Sequence, residues 1–313
     1  MIVALAGGVG GAKLAVGLSH VVVPEELIIA VNTGDDFVHL GLHISPDIDS
    51  VSYALAGIEN PETGWGVANE TWSFMQMIDR LDGETWFKLG DRDLATHVER
   101  TRRLAGGSTL ADVTRDLCRA MGVRHTVVPG TSDPLRTIVQ TGDKRLSFQH
   151  YFVKLRCEPP VDGLAYEGAS TARPAQAILD ALNSQALEGI ILCPSNPYLS
   201  IAPMLSMPEL SDAIKRRKRP AIVVSPIIGN SAVKGPAAKM MRELGHQPSC
   251  LAVAEFYRGL IDFIMIDRSD SKYVPAIVQL GIRPIMSDIM MRDLNDRCRL
   301  ARECRDILLA WLT

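Results

Sequence analysis

Aromatic residues are scarce in this chain, 5% of 313, which argues against the rows of stacking rings that hold single-stranded nucleic acid. A surplus of positive charge is also missing. Lys and Arg number 33 against 36 Asp and Glu, a formal net charge of -3, so no nucleic-acid partner is expected. No apolar run approaches the roughly 18 residues of a membrane-spanning helix, and the first residues lack the basic region that opens a secretory signal. A cytoplasmic protein with no membrane partner is the expectation. The six cysteines, Cys118, Cys157, Cys193, Cys250, Cys298 and Cys304, show no C-x-x-C spacing, which points to reduced, partly buried thiols rather than a zinc site or a disulfide framework. His39 and His43 stand four apart without the glutamate of a zinc helix, so they read first as lining or packing residues. Internal repeats and low-complexity linkers are absent as well.

What is present begins at the first residue. Residues 2–6 form an apolar run of strand formers, Gly7, Gly8, Gly10 and Gly11 crowd a turn, and residues 12–20 carry helical spacing. A strand, a glycine turn and a helix in succession place backbone N–H groups at the positive end of a helix, where an anion is favoured. Phosphate is the natural occupant. The pattern is neither the P-loop G-x-x-x-x-G-K-[ST] nor a full G-x-G-x-x-G, and a turn that merely lets a strand pack close to a helix reads the same way. Lys13 reaches either a phosphate or water.

Carboxylates follow. Residues 26–32 read as a second buried strand that empties into Thr33-Gly34-Asp35-Asp36, and in an open α/β sheet the carboxyl ends of strands hold the ligand. Asp47 and Asp49, in Ser45-Pro46-Asp47-Ile48-Asp49-Ser50, open a helical run through Ala56, where plain capping is the alternative to a binding role. Four carboxylates, Asp35, Asp36, Asp47 and Asp49, beside an expected phosphate site suit magnesium, a hard cation often held by one or two carboxylates together with substrate phosphates.

Further along, Trp65 sits in a loop before a helix over about 70–81, placed either to stack on a ligand or to cap the core. A short strand carrying Lys88 is expected to end at Gly90, and Asp91 to begin a helix displaying Arg92, Asp93 and His97. Residues 125–129, 136–140 and 145–153 read as three strands with no helix between them. They break the βα alternation and predict an inserted α+β lobe over about 122–172. Alternation resumes with a helix from 174 to 184 and a strand over 189–193 that ends in Pro194-Ser195-Asn196-Pro197. A strand over 221–224 ends in Ser225-Pro226-Ile227-Ile228-Gly229-Asn230, and further strands over 260–266 and 283–286 precede a closing helix over 288–312. Asn196, fixed between two prolines, offers an amide to a phosphate or a base edge. The expected fold is a single α/β domain over 1–313, with a doubly wound, mostly parallel Rossmann-like sheet.

Taken together, Gly7 to Lys13, Asn32 to Asp36, Ser45 to Asp49, Lys88 to His97, Pro194 to Pro197 and Ser225 to Asn230 resemble, in order and nearly end to end, the CofD family of transferases in coenzyme F420 biosynthesis. The chain departs from that pattern at Cys193, where a small residue such as glycine is expected. The resemblance implies transfer of a phospho-three-carbon-acid group (2-phospho-L-lactate, or its enolpyruvyl or 3-phosphoglyceryl equivalent) from a GDP-linked donor to the ribityl hydroxyl of the deazaflavin Fo. The products would be F420-0, or its dehydro or glyceryl form, and GMP. Magnesium is the implied metal and a homodimer the implied assembly. By matching motif, Asp49 and Lys88 fall on Fo-binding positions, with Trp65 a candidate ring partner. The expected catalytic residues are Asp49 and Asp36. Gly8, Val9, Gly10, Gly11, Lys13, Ser195, Asn196, Gly229 and Asn230 are expected at the nucleotide and phosphates, and Asp35, Asp36, Asp47 and Asp49 at the metal. A related family of nucleotide-sugar-binding regulators without transferase activity, and a Rossmann-type dehydrogenase, are the other readings.

Overall fold

An unbroken apolar strand is stable only with both faces covered, and Ile2–Ala6 is buried at every residue. It is an interior strand, third from one edge, of a seven-stranded sheet in the computed structural model, which describes residues 1–229, 231–232 and 235–311. Numbered along the chain, the strands of this sheet are β1 (Ile2–Ala6), β2 (Leu27–Val31), β3 (Thr126–Pro129), β4 (Gly189–Leu192), β5 (Ala221–Val224), β6 (Phe263–Asp267) and β7 (Arg283–Ser287). Their spatial order is β7-β6-β5-β4-β1-β2-β3, and every neighbouring pair is parallel. This is the 3-2-1-4-5-6 order of the doubly wound nucleotide-binding fold, extended by one strand, and the order reverses between β1 and β4, where such sheets bind ligands.

Alternation along each strand divides the core into two layers. Val3, Leu5, Ile190, Val223 and Ile264 pack to one side with Ile178, Leu210 and Val253 from helices Gln176–Asn183, Pro208–Lys215 and Cys250–Phe256. Ile2, Ala4, Ile191, Ile222 and Met265 pack to the other, against Leu14 and Leu18 of α1 (Gly8–Val21) and Leu300 and Leu308 of the closing helix Leu294–Ala310. Each fully buried Leu or Ile contributes roughly 1.5–3 kcal/mol. The six thiols are free and five are buried, Cys193 under the loop that follows β4 among them. No helix among the described residues is long and apolar enough to cross a membrane.

Two excursions rise from the carboxyl edge of this sheet. The first, between β2 and β3, holds the hairpin Phe37–His39 with Leu42–Ile44, α2 (Pro46–Ala56), α3 (Ser73–Arg80), α4 (Asp91–Ala105) and α5 (Leu110–Ala120). The second, between β3 and β4, is an antiparallel lobe of Lys144–Ser147, Arg136–Thr141 and Gly163–Glu167.

The structure moves several expected boundaries. Thr126–Pro129 pairs with β2 in the main sheet, so the lobe begins after residue 129 rather than at 122. Its third strand is Gly163–Glu167, where the sequence pattern predicts none. The strand expected over 145–153 stops at Ser147, and the chain winds into a wide helical turn, His150–Lys154, because Phe148 and Tyr151 must both reach the lobe's own core. No strand forms around Lys88; Phe87 packs edge-on to Phe37 of the hairpin, with centroids 4.9 Å apart. The closing helix starts at Leu294, capped by the Asp293 side chain, which frees residues 288–293 to run as a loop.

Candidate active site

The loops that leave β1, β4 and β5 converge on one cleft of about 650 Å³. Gly7 and Gly8 enter it after β1, Pro194 to Asn196 after β4, and Ser225 and Pro226 after β5. Close approach explains the glycines. A Cβ on Gly10 would stand 2.2 Å from the Pro194 carbonyl oxygen, and one on Gly11 would stand 2.5 Å from Ser195 Oγ. Gly8 has φ +61, a left-handed backbone that glycine adopts without penalty. The turn thus packs tightly, as one of the two sequence readings holds, and it also carries an anion: the Gly8 N–H donates to Asp47 Oδ1 at 2.7 Å. Val9 and Gly10 line the cleft beyond that contact, whereas Gly11 faces Ser195 and Ala6.

Asn32 ties the first acids together. Its amide nitrogen lies 2.9 Å from Asp47 Oδ2, 3.3 Å from Asp35 Oδ1 and 3.1 Å from the Leu199 carbonyl oxygen. Asp35 and Asp47 are both buried and both line the cleft. Burial pushes the Asp47 carboxyl up to about 6, and it raises Asp35 well above the ordinary value, with the nearby Asp47 charge adding to the effect. Two desolvated carboxylates held together are poised to accept a cation. Asp36 is placed differently. Its Oδ2 accepts from Ser45 Oγ at 2.8 Å and meets His43 Nε2 at 3.1 Å, its Oδ1 is buried without a partner, and it is not among the cleft-lining residues.

Asp49 also lines the cleft but has different partners. Both of its oxygens meet the guanidinium of Arg100, which is 1% exposed, and its Oδ2 lies 3.6 Å from His97 Nδ1. Burial raises the Asp49 carboxyl while Arg100 and His97 pull it back. Burial opposes the Arg100 charge in turn, but Asp49 outweighs it and the guanidinium stays charged. Asp93 lies 3.2 Å from His97 Nε2 and accepts from Tyr53 Oη at 2.7 Å. Burial works against its charge as well, yet His97 and Tyr53 hold it below the ordinary carboxylate range. Asp49, Asp93 and His97 are the one set of three potential ligands among the described residues with donor atoms all within 4.8 Å. The four acids expected at a metal are therefore split, with Asp35 and Asp47 by the glycine turn and Asp49 paired to Arg100.

The far half of the cleft is apolar. Trp65, half exposed, and Trp86, Phe87, Phe148 and Phe152 line it, with Lys88 exposed at its edge. Other expected residues find specific partners. Lys13 Nζ donates to the Met291 carbonyl at 3.0 Å, so its ammonium is engaged by the 288–293 loop. Ser195 Oγ accepts from the Gly7 N–H at 3.1 Å. Asn196 Oδ1 accepts from Tyr198 N and Leu199 N and so caps the turn after β4, while its Nδ2 is buried and unpartnered at the cleft wall. The Gly229 N–H donates to Asp270 Oδ2 at 3.0 Å, and Gly229 is not on the wall. Asn230 lies outside the described residues. Sequence reasoning missed Arg100, Gln149, Arg156 and the 288–293 loop. For Gln149 a signal existed: it stands four residues before Val153, as Phe148 does before Phe152, a helical spacing.

Residues 2–300 match the family described as 2-phospho-L-lactate transferase CofD. The chain is 36% identical over 308 residues to the phosphoenolpyruvate transferase of Streptomyces coelicolor, covering 96% of each protein. It is 35% identical over 295 residues to the 2-phospho-L-lactate transferase of Methanosarcina mazei, covering 94% of this chain and 96% of that one. Among solved structures, a UPF0052-family protein from Bacillus halodurans shares the fold, with a TM-score of 0.63 and 15% identity over 96% of this chain and 97% of that one.

Proposed function

The chain belongs to the CofD family of 2-phospho-L-lactate transferases, and from that premise we propose that this transferase moves a phospho-three-carbon-acid group from a GDP-linked donor to the ribityl hydroxyl of Fo. One observation carries the reading: a single cleft of about 650 Å³ joins a polar half, built on the glycine turn and buried acids, to a half lined by aromatic rings. A diphosphate and a chromophore need those two environments side by side.

The reaction breaks the bond between the donor's distal phosphorus and the bridging oxygen that leaves with GMP. It forms a bond from that phosphorus to the acceptor oxygen, whose proton is released. A diphosphate repels an incoming oxygen, so catalysis rests on positioning and charge neutralisation. Asp35 and Asp47 fit a hard divalent cation: both are buried, both line the cleft, and like charge destabilises the pair without one. Magnesium, when bound, supplies positive charge to the diphosphate. The positive end of α1 faces the same region, and the unpartnered Asn196 Nδ2 donates to a phosphate oxygen. On the acceptor side, Asp49 is held rigid by Arg100 and orients the hydroxyl, while Lys88 and Trp65 contact the chromophore. Asp36 acts at one remove, fixing the start of α2 through Ser45. A homodimer is the proposed assembly, on the strength of the family resemblance.

The test is incubation with Fo, magnesium and each of the lactyl, enolpyruvyl and glyceryl GDP donors, followed by mass measurement. Relatives named for phosphoenolpyruvate and for 2-phospho-L-lactate are equally similar to this chain, at 36% and 35% identity, so all three donors belong in the assay. A phosphodiester of Fo together with GMP is expected from at least one. Nucleotide binding without product from any donor would favour the regulator reading instead.

A further inference from the structure

The lobe's helical turn presents one face to the cleft. Phe148 and Gln149 just before the turn, Phe152 and Val153 within it and Arg156 just after it all line the cleft. The phenyl rings of Phe148 and Phe152 stack at 5.2 Å with 17° between planes. The turn is fixed against the segment that carries Lys88: His150 stacks on Trp86 at 5.0 Å, and Lys154 Nζ lies 5.5 Å from the Trp86 ring. The face is therefore anchored beside the aromatic half of the cleft.

Gln149 is the anomaly on this face. It is 5% exposed, yet its side-chain amide makes no hydrogen bond with a described residue, although it lines a cavity whose nearby wall is phenyl and valine. Neither polar atom of this amide is among the buried unpartnered atoms of the described residues, so the amide opens into the cleft and is free to pair with a ligand there. An amide offers a donor and an acceptor side by side. A phosphate or a carboxylate accepts only and would leave the Gln149 carbonyl facing negative charge. A neutral ring whose edge carries an N–H between two carbonyls uses both halves of the amide and can lie against the phenyl rings.

We propose that Gln149 reads the pyrimidinedione edge of the acceptor chromophore, with Phe148 and Phe152 as the wall against which that ring lies. The inference rests on the reading of the cleft given above and names the residue that selects the acceptor. Guanine also carries a mixed edge, and the test separates the two.

Binding of Fo and of its N3-methyl derivative is measured by deazaflavin fluorescence with the wild-type protein and with Gln149→Met and Gln149→Glu, alongside KM for acceptor and donor. Wild type is expected to bind the methylated ring about 10–100-fold more weakly. Gln149→Met is expected to bind Fo about tenfold or more weakly, to lose the preference between the two rings, and to keep the donor KM within about twofold. An equal grip on both rings by the wild type overturns the proposal even if the variants fail to fold. So does a loss in Gln149→Met that falls on the donor KM, which would assign the amide to guanine. Wild-type turnover of Fo with an unaffected Gln149→Met sinks this inference alone, whereas absence of any Fo binding or turnover by wild type sinks the functional reading with it.

Discussion

Asp47 and Asp49 stand two residues apart on the first turn of α2, and that separation sends them to opposite surroundings. Asp47 meets a glycine N–H, Asn32 and a second acid, whereas Asp49 meets a guanidinium. For Asp47 the folded value of about 6 lies above the unfolded 3.8. The folded protein thus holds the proton more tightly, and stability falls as pH rises through that window. Metal-free protein is expected to lose on the order of 3 kcal/mol between about pH 4 and about pH 6 from this group, with Asp35 acting in the same direction. Thermal melts against pH check this: Asp47→Asn should flatten the slope, as should saturating magnesium, and an unchanged slope in both would remove the acid pair as the cause. Arg100 shows the complementary case. Arg100→Gln leaves Asp49 buried with only His97 beside it, at a cost of about 3–5 kcal/mol in urea denaturation, and adding Asp49→Asn should recover part of it. Asp49→Asn alone is expected to abolish turnover more than it weakens nucleotide binding; equal loss of both would reduce Asp49 to a structural partner of Arg100.

At the scale of elements, the glycine turn and the loop after β4 are one unit, since the helix begins where the Pro194 carbonyl leaves no room for a Cβ. Gly10→Ala is therefore expected to cost about 1–3 kcal/mol through overpacking and to weaken GDP binding tenfold or more by calorimetry. Gly106→Ala, at a helix end with φ -78, should change neither by much. A Gly10→Ala protein that binds GDP normally would show that the turn does not shape the phosphate site. Elements of this kind were legible because their residues repeat a local rule. β1, β2, β4 and β5 are continuous apolar runs, α2 is announced by Ser45-Pro46, and glycine after a strand marks a turn. What was not legible depends on contacts distant in sequence. Residues 145–153 alternate well enough for a strand, and only the burial of Phe148 and Tyr151 against Leu199 and Met240 winds them into a helix. Arg100 reads as one more basic residue on a charged helix, and only the fold reveals that it closes on Asp49. Trp65 and Lys88 line the cleft, but the strand expected under Lys88 does not form, because hairpin packing holds that segment instead.

Seen as a whole, the molecule divides its labour under the proposed function. The parallel sheet, buried in two layers, would supply rigid strand ends for the diphosphate, and the two excursions above it, a cap before β3 and the lobe after it, would supply the acceptor's surroundings; cap and lobe meet through Trp86 on His150 and Lys154 near Glu84 at 3.7 Å. The latter pair is exposed on both sides and contributes little by itself, so of these two contacts the stacked rings carry more. Hydrogen exchange should therefore report two separable footprints. Adding the GDP donor with magnesium is expected to slow exchange in residues 7–13 and 194–200, and adding Fo to slow it in residues 84–88 and 148–156, with each ligand nearly silent in the other's territory. Both together should protect the cap–lobe contact more than either alone, since a ring held between them joins the two excursions. A single shared footprint for the two ligands would mean that one pocket receives them in turn, and the side-by-side arrangement on which direct transfer depends would have to be abandoned.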